Sequence, residues 1–374
     1  MTHHIPPMHL YLHVPFCARR CSYCDFAIAV RRSTPSEAYV DAILKEWVQW
    51  QEHSAWATSP TLETIYFGGG TPSRLDPAAI DRLVSQLAAD RSVEPDVEIT
   101  LEANPEDVTP ERAAAWRTGG VTRVSLGAQS FDPHVLRWMH RSHSADQIPR
   151  AVEAVRSAGI PELSLDLIFG LPAALERSWE ADVEQALALQ PEHLSLYGLT
   201  IEPYTVLERW TRRGELTPVD EERYAREFLS ADARLTDAGF EHYEVSNAGR
   251  EGHRARHNSA YWRRAPYIGL GPSAHSGFDN ERQWNLREWT SYERAVGEGA
   301  SSVGGREHLT PEQVRLENLY LGLRTRDGVV ATMVSPAVRQ TWIVEGWARA
   351  ACDRLVLTPE GWLRLDALVA LASG

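Results

Sequence analysis

Long apolar runs are missing from this 374-residue chain. No stretch approaches the ~18 to 20 apolar residues of a membrane span, and the start, Met1 to Leu10, has no apolar h-region. Neither membrane insertion nor export is therefore expected. Cysteine is scarce: four residues do not make a disulfide framework and fit a reducing compartment, the cytoplasm. Positive charge is also short, with 38 Lys and Arg against 51 Asp and Glu, a formal net charge of −13. Phosphate binding favours a basic domain or stripe, so no nucleic-acid partner is expected. One segment departs from this acidity: from Arg250 to Arg264, five arginines (Arg250, Arg254, Arg256, Arg263 and Arg264) stand with a single acidic residue, Glu251. The rest, 43% hydrophobic and long enough for about two domains, describes a globular chain able to bury a sizeable core.

Three of the four cysteines, Cys17, Cys21 and Cys24, are spaced Cys-x-x-x-Cys-x-x-Cys directly after an apolar stretch, Leu10 to Val14. Thiolates so spaced can hold three corners of an iron-sulfur cube and leave one iron open. Ferredoxin-type carriers ligate every iron from the protein, usually with four cysteines for a cubane, so three imply a coordination position for something else. The alternative is a structural zinc site, which closes four tetrahedral ligands and would need a residue such as His13 as the fourth.

Strand-length apolar runs alternate with helix-period stretches through the first two hundred residues. Strands are expected at Leu10 to Val14, Leu62 to Phe67, Val97 to Ala103, Val121 to Gly127, Leu163 to Phe169 and Leu194 to Leu199. Helices are expected at Ser36 to His53, Pro77 to Asp90, Ala145 to Ala158 and Ser178 to Leu189, opened by signals such as Asp76-Pro77. Crossover helices between strands mean a parallel α/β sheet, whose chemistry sits at the strands' carboxyl ends. Those ends carry the cysteines, then Gly68-Gly69-Gly70-Thr71-Pro72, Glu102, Gly127 to Phe131 with Gln129, Asp166 before Gly170, and Tyr197-Gly198. The triple glycine lets backbone approach a ligand closely. No Gly-Lys-Ser/Thr follows it, so it is not a phosphate loop. Alternation along the first strand puts Tyr11 and His13 on one face, toward the cluster side, and Leu10, Leu12 and Val14 on the other.

Nine segments in order, LYLHVPFCARRCSYCDF, IYFGGGTPSRL, EANPE, RVSLGAQSF, MHRSH, DLIFGLP, SLYGLTIEP, HNSAYW and YIGLGPSAHSG, resemble the coproporphyrinogen-dehydrogenase-like radical-SAM proteins over nearly the whole chain. The resemblance implies a partial six-fold (β/α) barrel and a 4Fe-4S cluster on Cys17, Cys21 and Cys24. It also implies S-adenosylmethionine contacts at Tyr11, Tyr23, Gly69, Gly70, Thr71, Glu102, Gln129, Arg141, Asp166 and Gly198. Within the family, the dehydrogenase branch decarboxylates coproporphyrinogen III with a deoxyadenosyl radical. It carries a further cysteine two residues past the third and a long N-terminal arm. Here that position is Phe26, and sixteen residues precede Cys17. Both departures point to the heme-chaperone branch, with the radical enzyme as the alternative.

In that branch the resemblance associates an HNxxYW motif, here His257 to Trp262, with heme. Imidazole is the commonest protein ligand of heme iron, and Tyr261 and Trp262 offer flat apolar faces. The flanking arginines can pair with propionates. The implied partners are heme and an acceptor hemoprotein, such as a respiratory one, with any membrane contact peripheral and made through that acceptor. Domains are expected at 1–235 (radical-SAM barrel), 236–305 (a connecting segment with the HNxxYW motif) and 306–374 (a smaller α+β winged-helix-like domain). The last is read as helices at Leu309 to Gly322 and Pro336 to Ala350, with Cys352 buried in the second helix. A hairpin around Thr358 to Gly361 follows. Its expected role is covering the barrel or partner contact.

Overall fold

In the computed structural model, which describes residues 8–52 and 61–373, the six expected strands are β1 (His9–Val14), β2 (Leu62–Gly69), β3 (Val93–Ala103), β4 (Arg123–Gln129), β5 (Glu162–Phe169) and β6 (His193–Gly198). They pair in parallel and in chain order. Helices run between them at Ser36–Gln51, Pro77–Asp90, Pro110–Thr118, Gln147–Ser157 and Trp179–Ala188. The expected end of the first helix at His53 lies outside the described residues. Local chemistry starts the helices: Asp76 accepts from the Ala78 amide with Pro77 at the first helical position, and Ser178 accepts from the Ala181 amide. Alternation on β1 is as expected, with Leu10, Leu12 and Val14 fully buried in one core with Ile43, Trp47 and Phe67. The architecture is a partial (β/α) barrel.

The segment 236–305 is more than a connection, because it builds both flanks of a twelve-stranded sheet. Tyr267–Leu270 pairs parallel to β1 and is followed outward by antiparallel His275–Phe278, Glu281–Asn285 and Val303–His308. Beyond β6 lie Asn247–Gly249 and then Glu241–Glu244. A buried carboxylate ties the first flank to the barrel. Glu46, on the Ser36–Gln51 helix, accepts from the Gly271 amide (2.8 Å), Asn285 Nδ2 (2.6 Å), the Tyr292 hydroxyl (2.5 Å) and Ser302 Oγ (3.0 Å).

The C-terminal unit has helices Pro311–Leu323 and Pro336–Val344, then a three-stranded sheet of Val329–Val330, Arg354–Leu357 and Ala348–Ala351. Three expectations are corrected here. The second helix stops at Val344 because Gly346 takes a left-handed φ of 75° just past its end. The hairpin therefore turns at Cys352 and Asp353, and Thr358 instead caps the Pro359–Trp362 helix. Cys352 is exposed in that turn at φ 53°, not buried in a helix. The unit seats on the barrel flank through Arg324, whose guanidinium lies 3.2 Å from the buried Glu244.

Candidate cluster and cofactor site

The cysteine loop is pinned at both ends, since Phe16–Cys17 pairs with Ala29–Val30. Cys17, Cys21 and Cys24 all line one cavity of about 390 Å³ at the carboxyl ends of the strands. Tyr23, Gly69, Gly70, Thr71, Glu102, Gln129, Arg141, Asp166 and Gly198 line the same cavity, so the structure brings together every expected rim residue except Tyr11. Two sulfurs carry polar donors. Thr71 Oγ1 donates to Cys17 Sγ at 3.4 Å, and Arg141 lies 3.6 Å from Cys21 Sγ. Arg141 is itself aimed by Asn104 Oδ1 (2.6 Å) and the Gly127 carbonyl (3.0 Å). Burial pushes the Cys17 thiol up and the Cys24 thiol up to about 11. Cluster ligation would have to overcome that burial by binding the thiolates, and donors on the sulfurs favour the thiolate form.

This donor set fits an iron-sulfur cluster better than zinc. The imidazole proposed as a fourth zinc ligand is engaged elsewhere: His13 Nε2 lies 3.0 Å from the Ala27 carbonyl and Nδ1 lies 3.1 Å from the Tyr11 hydroxyl. Among the described residues no group of three or more His, Cys, Asp or Glu side chains is placed to hold a single metal ion.

Two carboxylates face the cavity from adjacent parts of the rim. Glu102 accepts from the Tyr66 hydroxyl at 2.8 Å and from the Gly69 amide at 3.0 Å; burial pushes its pKa up to about 7. Asp166, also raised by burial, accepts from Ser125 Oγ at 2.9 Å. The glycine loop is sterically obligatory. Gly69 has φ 111°, and a Cβ there would stand 2.7 Å from the His13 ring; one on Gly70 would stand 2.8 Å from the Pro15 carbonyl. Tyr11 sits beneath this loop instead of in the lining, stacked on Tyr66 with ring centres 6.0 Å apart. Sequence reasoning missed Tyr66 and Ser125, and it set Asn104 at the end of the third strand without assigning it a contact. Period-two alternation from Gly127 and Gln129 could have found Ser125, but the contacts of Tyr66 and Asn104 are long-range.

The HNxxYW motif lies at the opposite end of the barrel, on the helix Arg256–Trp262. Glu98, on β3, accepts the backbone amides of Arg256 and His257, both at 2.9 Å. The His257 ring is buried, with Nδ1 2.6 Å from Thr64 Oγ1 and Nε2 2.8 Å from the Tyr261 hydroxyl. Burial drives its pKa well below the usual range. Both ring nitrogens of His257 are therefore hydrogen-bonded within the protein here. Tyr261 is likewise committed to His257, and Trp262 packs under Arg324 at 4.2 Å. Three of the arginines expected to hold propionates are paired: Arg254 with Glu241 and Asp327, Arg256 with Asp96, and Arg264 with Glu317.

Residues 11–186 match the Radical SAM superfamily model. The chain is 37% identical over 348 residues to "Heme chaperone HemW" of Synechocystis, covering 90% of this chain and 82% of that one. It is 36% identical to "Heme chaperone HemW" of Mycobacterium tuberculosis, covering 97% and 94%. The chain belongs to the HemW family of radical-SAM proteins. It is 36% identical to "Heme chaperone HemW" of Escherichia coli over 72% of this chain and 70% of that one. Outside the HemW family, the solved structure of the radical-SAM coproporphyrinogen III oxidase HemN from Escherichia coli superimposes with a TM-score of 0.81. It covers 99% of this chain and 90% of that one at 21% identity, a likeness of fold.

Proposed function

We propose that this chain binds heme and passes it to an acceptor hemoprotein, carrying a 4Fe-4S cluster on Cys17, Cys21 and Cys24 with S-adenosylmethionine beside it. The observation that carries the reading is the near full-length similarity to proteins named heme chaperone HemW. Phe26 supports it: the position where the dehydrogenase branch has a further cysteine holds a 58% exposed phenyl ring at the cavity edge. Tyr23, Gly69, Gly70, Thr71, Glu102, Gln129, Arg141, Asp166 and Gly198 would contact S-adenosylmethionine, with the glycine-loop backbone and two carboxylates as its polar partners. The protein would act in the cytoplasm and reach a membrane, if its acceptor is a respiratory one, through that acceptor. Among the described residues no helix is long and apolar enough to cross a membrane.

The intact carboxylate and glycine rim also favours a second reading, a radical enzyme acting on a tetrapyrrole. Titrating anaerobically reconstituted protein with heme, beside an assay for coproporphyrinogen consumption, separates the two. Stoichiometric heme binding without turnover supports the chaperone; turnover of S-adenosylmethionine and porphyrinogen supports the enzyme.

A further inference from the structure

His257 is buried and hydrogen-bonded through both ring nitrogens. Its ring lies nearly parallel to that of Tyr66, with centres 5.0 Å apart and planes 27° apart. The hydroxyl of the same Tyr66 holds Oε1 of Glu102, whose other oxygen holds the Gly69 amide. A second branch runs through Tyr11, which is 6.4 Å from His257, to His13 and on to the carbonyl of Ala27 in the cysteine loop. A ladder of packed aromatic rings therefore crosses the barrel from the Arg256–Trp262 helix to the glycine loop.

We infer that the HNxxYW segment is a positioning element for the S-adenosylmethionine cradle: His257, fixed by Thr64 and Tyr261, holds the Tyr66 ring, and Tyr66 holds the Glu102 carboxylate. The end-to-end arrangement explains why the histidine is both buried and hydrogen-bonded on each side. A neutral imidazole has one donor and one acceptor nitrogen, so hydroxyls on both nitrogens satisfy it and lock its rotation. With the ring locked, Tyr66 has a flat wall on one face and its hydroxyl stays on Glu102. The inference rests on S-adenosylmethionine occupying the cluster cavity, and it is independent of where heme binds.

The test is a double-variant cycle on anaerobically reconstituted full-length protein, with S-adenosylmethionine affinity read by equilibrium dialysis and cluster iron measured alongside. His257→Ala and Tyr66→Phe should each weaken binding by roughly three- to tenfold with cluster iron retained, and the double variant should weaken it no further than the stronger single change. A merely structural histidine would give independent losses that multiply. Wild-type affinity in His257→Ala, or multiplying losses, overturns the inference. If His257→Ala does not fold, Tyr261→Phe, which removes only the anchoring hydroxyl, takes its place in the same cycle and is judged by the same two outcomes. Failure of the wild type to bind S-adenosylmethionine overturns the cavity reading, and this inference with it.

Discussion

Tyr66 and Glu102, on neighbouring parallel strands, are joined by a 2.8 Å hydrogen bond in which the phenol donates to Oε1. That bond sits between the buried His257 ring and the cavity shared by the three cysteines. It links the two ends of the barrel and places one carboxylate where a cationic ligand would be received.

Glu102 should make ligand affinity depend on pH. Its unfolded carboxyl ionises near 4.5 and its folded one near 7, chiefly because of burial, so the folded state holds the extra proton between these values. The sign follows by linkage: this group's contribution to stability falls as pH rises through that window. In the proposed arrangement the amino end of S-adenosylmethionine would pair with this carboxylate, so the ligand should bind more tightly as pH rises from 6 to 8. Glu102→Gln should flatten both trends, and Glu102→Ala should cost one to two decades of affinity, since hydrogen bonds to charged groups contribute roughly 1.5 to 3 kcal/mol. Equilibrium binding across pH checks this, and an unchanged affinity with the cluster intact would contradict it.

The cluster assignment makes a sharper demand. Cys21→Ala should abolish the 4Fe-4S absorbance and paramagnetic signal after anaerobic reconstitution. Cys352→Ala should leave both intact, because Cys352 is exposed in the turn between two C-terminal strands. Full retention of iron and sulfide in Cys21→Ala would remove the basis of the assignment.

The cavity and the barrel were legible for one physical reason: in a parallel α/β sheet, strand ends in sequence become neighbours in space. Gly69, Glu102, Gln129 and Asp166 stand apart in the chain yet line one wall. The flanks were not legible. Asn247–Gly249 and Tyr267–Leu270 are short, carry glycine, and find partners through pairing that no local pattern encodes. The surroundings of His257 were hidden for a different reason. The residue type suits a metal ligand, but the side of the barrel it enters depends on Thr64 and Tyr66, nearly two hundred residues earlier.

Glu46 should prove a main anchor of the 267–308 flank. Glu46→Ala removes a buried acceptor shared by Gly271, Tyr292, Asn285 and Ser302; Asn285 and Ser302 keep second acceptors, while the Gly271 amide and the Tyr292 hydroxyl lose theirs. The expected loss in urea denaturation is about 2 to 4 kcal/mol, with the parallel strands retained by circular dichroism. A loss within ~0.5 kcal/mol would mean the flank is held elsewhere.

Because His257 is enclosed, His257→Ala should leave heme stoichiometry and the Soret band close to wild type. A collapsed band with unchanged S-adenosylmethionine affinity would instead support the motif as the heme site. Parallel titrations of one reconstituted sample read both.

The central claim is that this chain carries a tetrapyrrole and does not transform one. Its most direct measurement offers anaerobically reconstituted wild-type protein heme in one cell, and coproporphyrinogen with S-adenosylmethionine and reductant in another. The account predicts about one heme bound per chain and no protoporphyrinogen formed. Catalytic conversion of coproporphyrinogen with consumption of S-adenosylmethionine, and no stoichiometric heme binding, would contradict it.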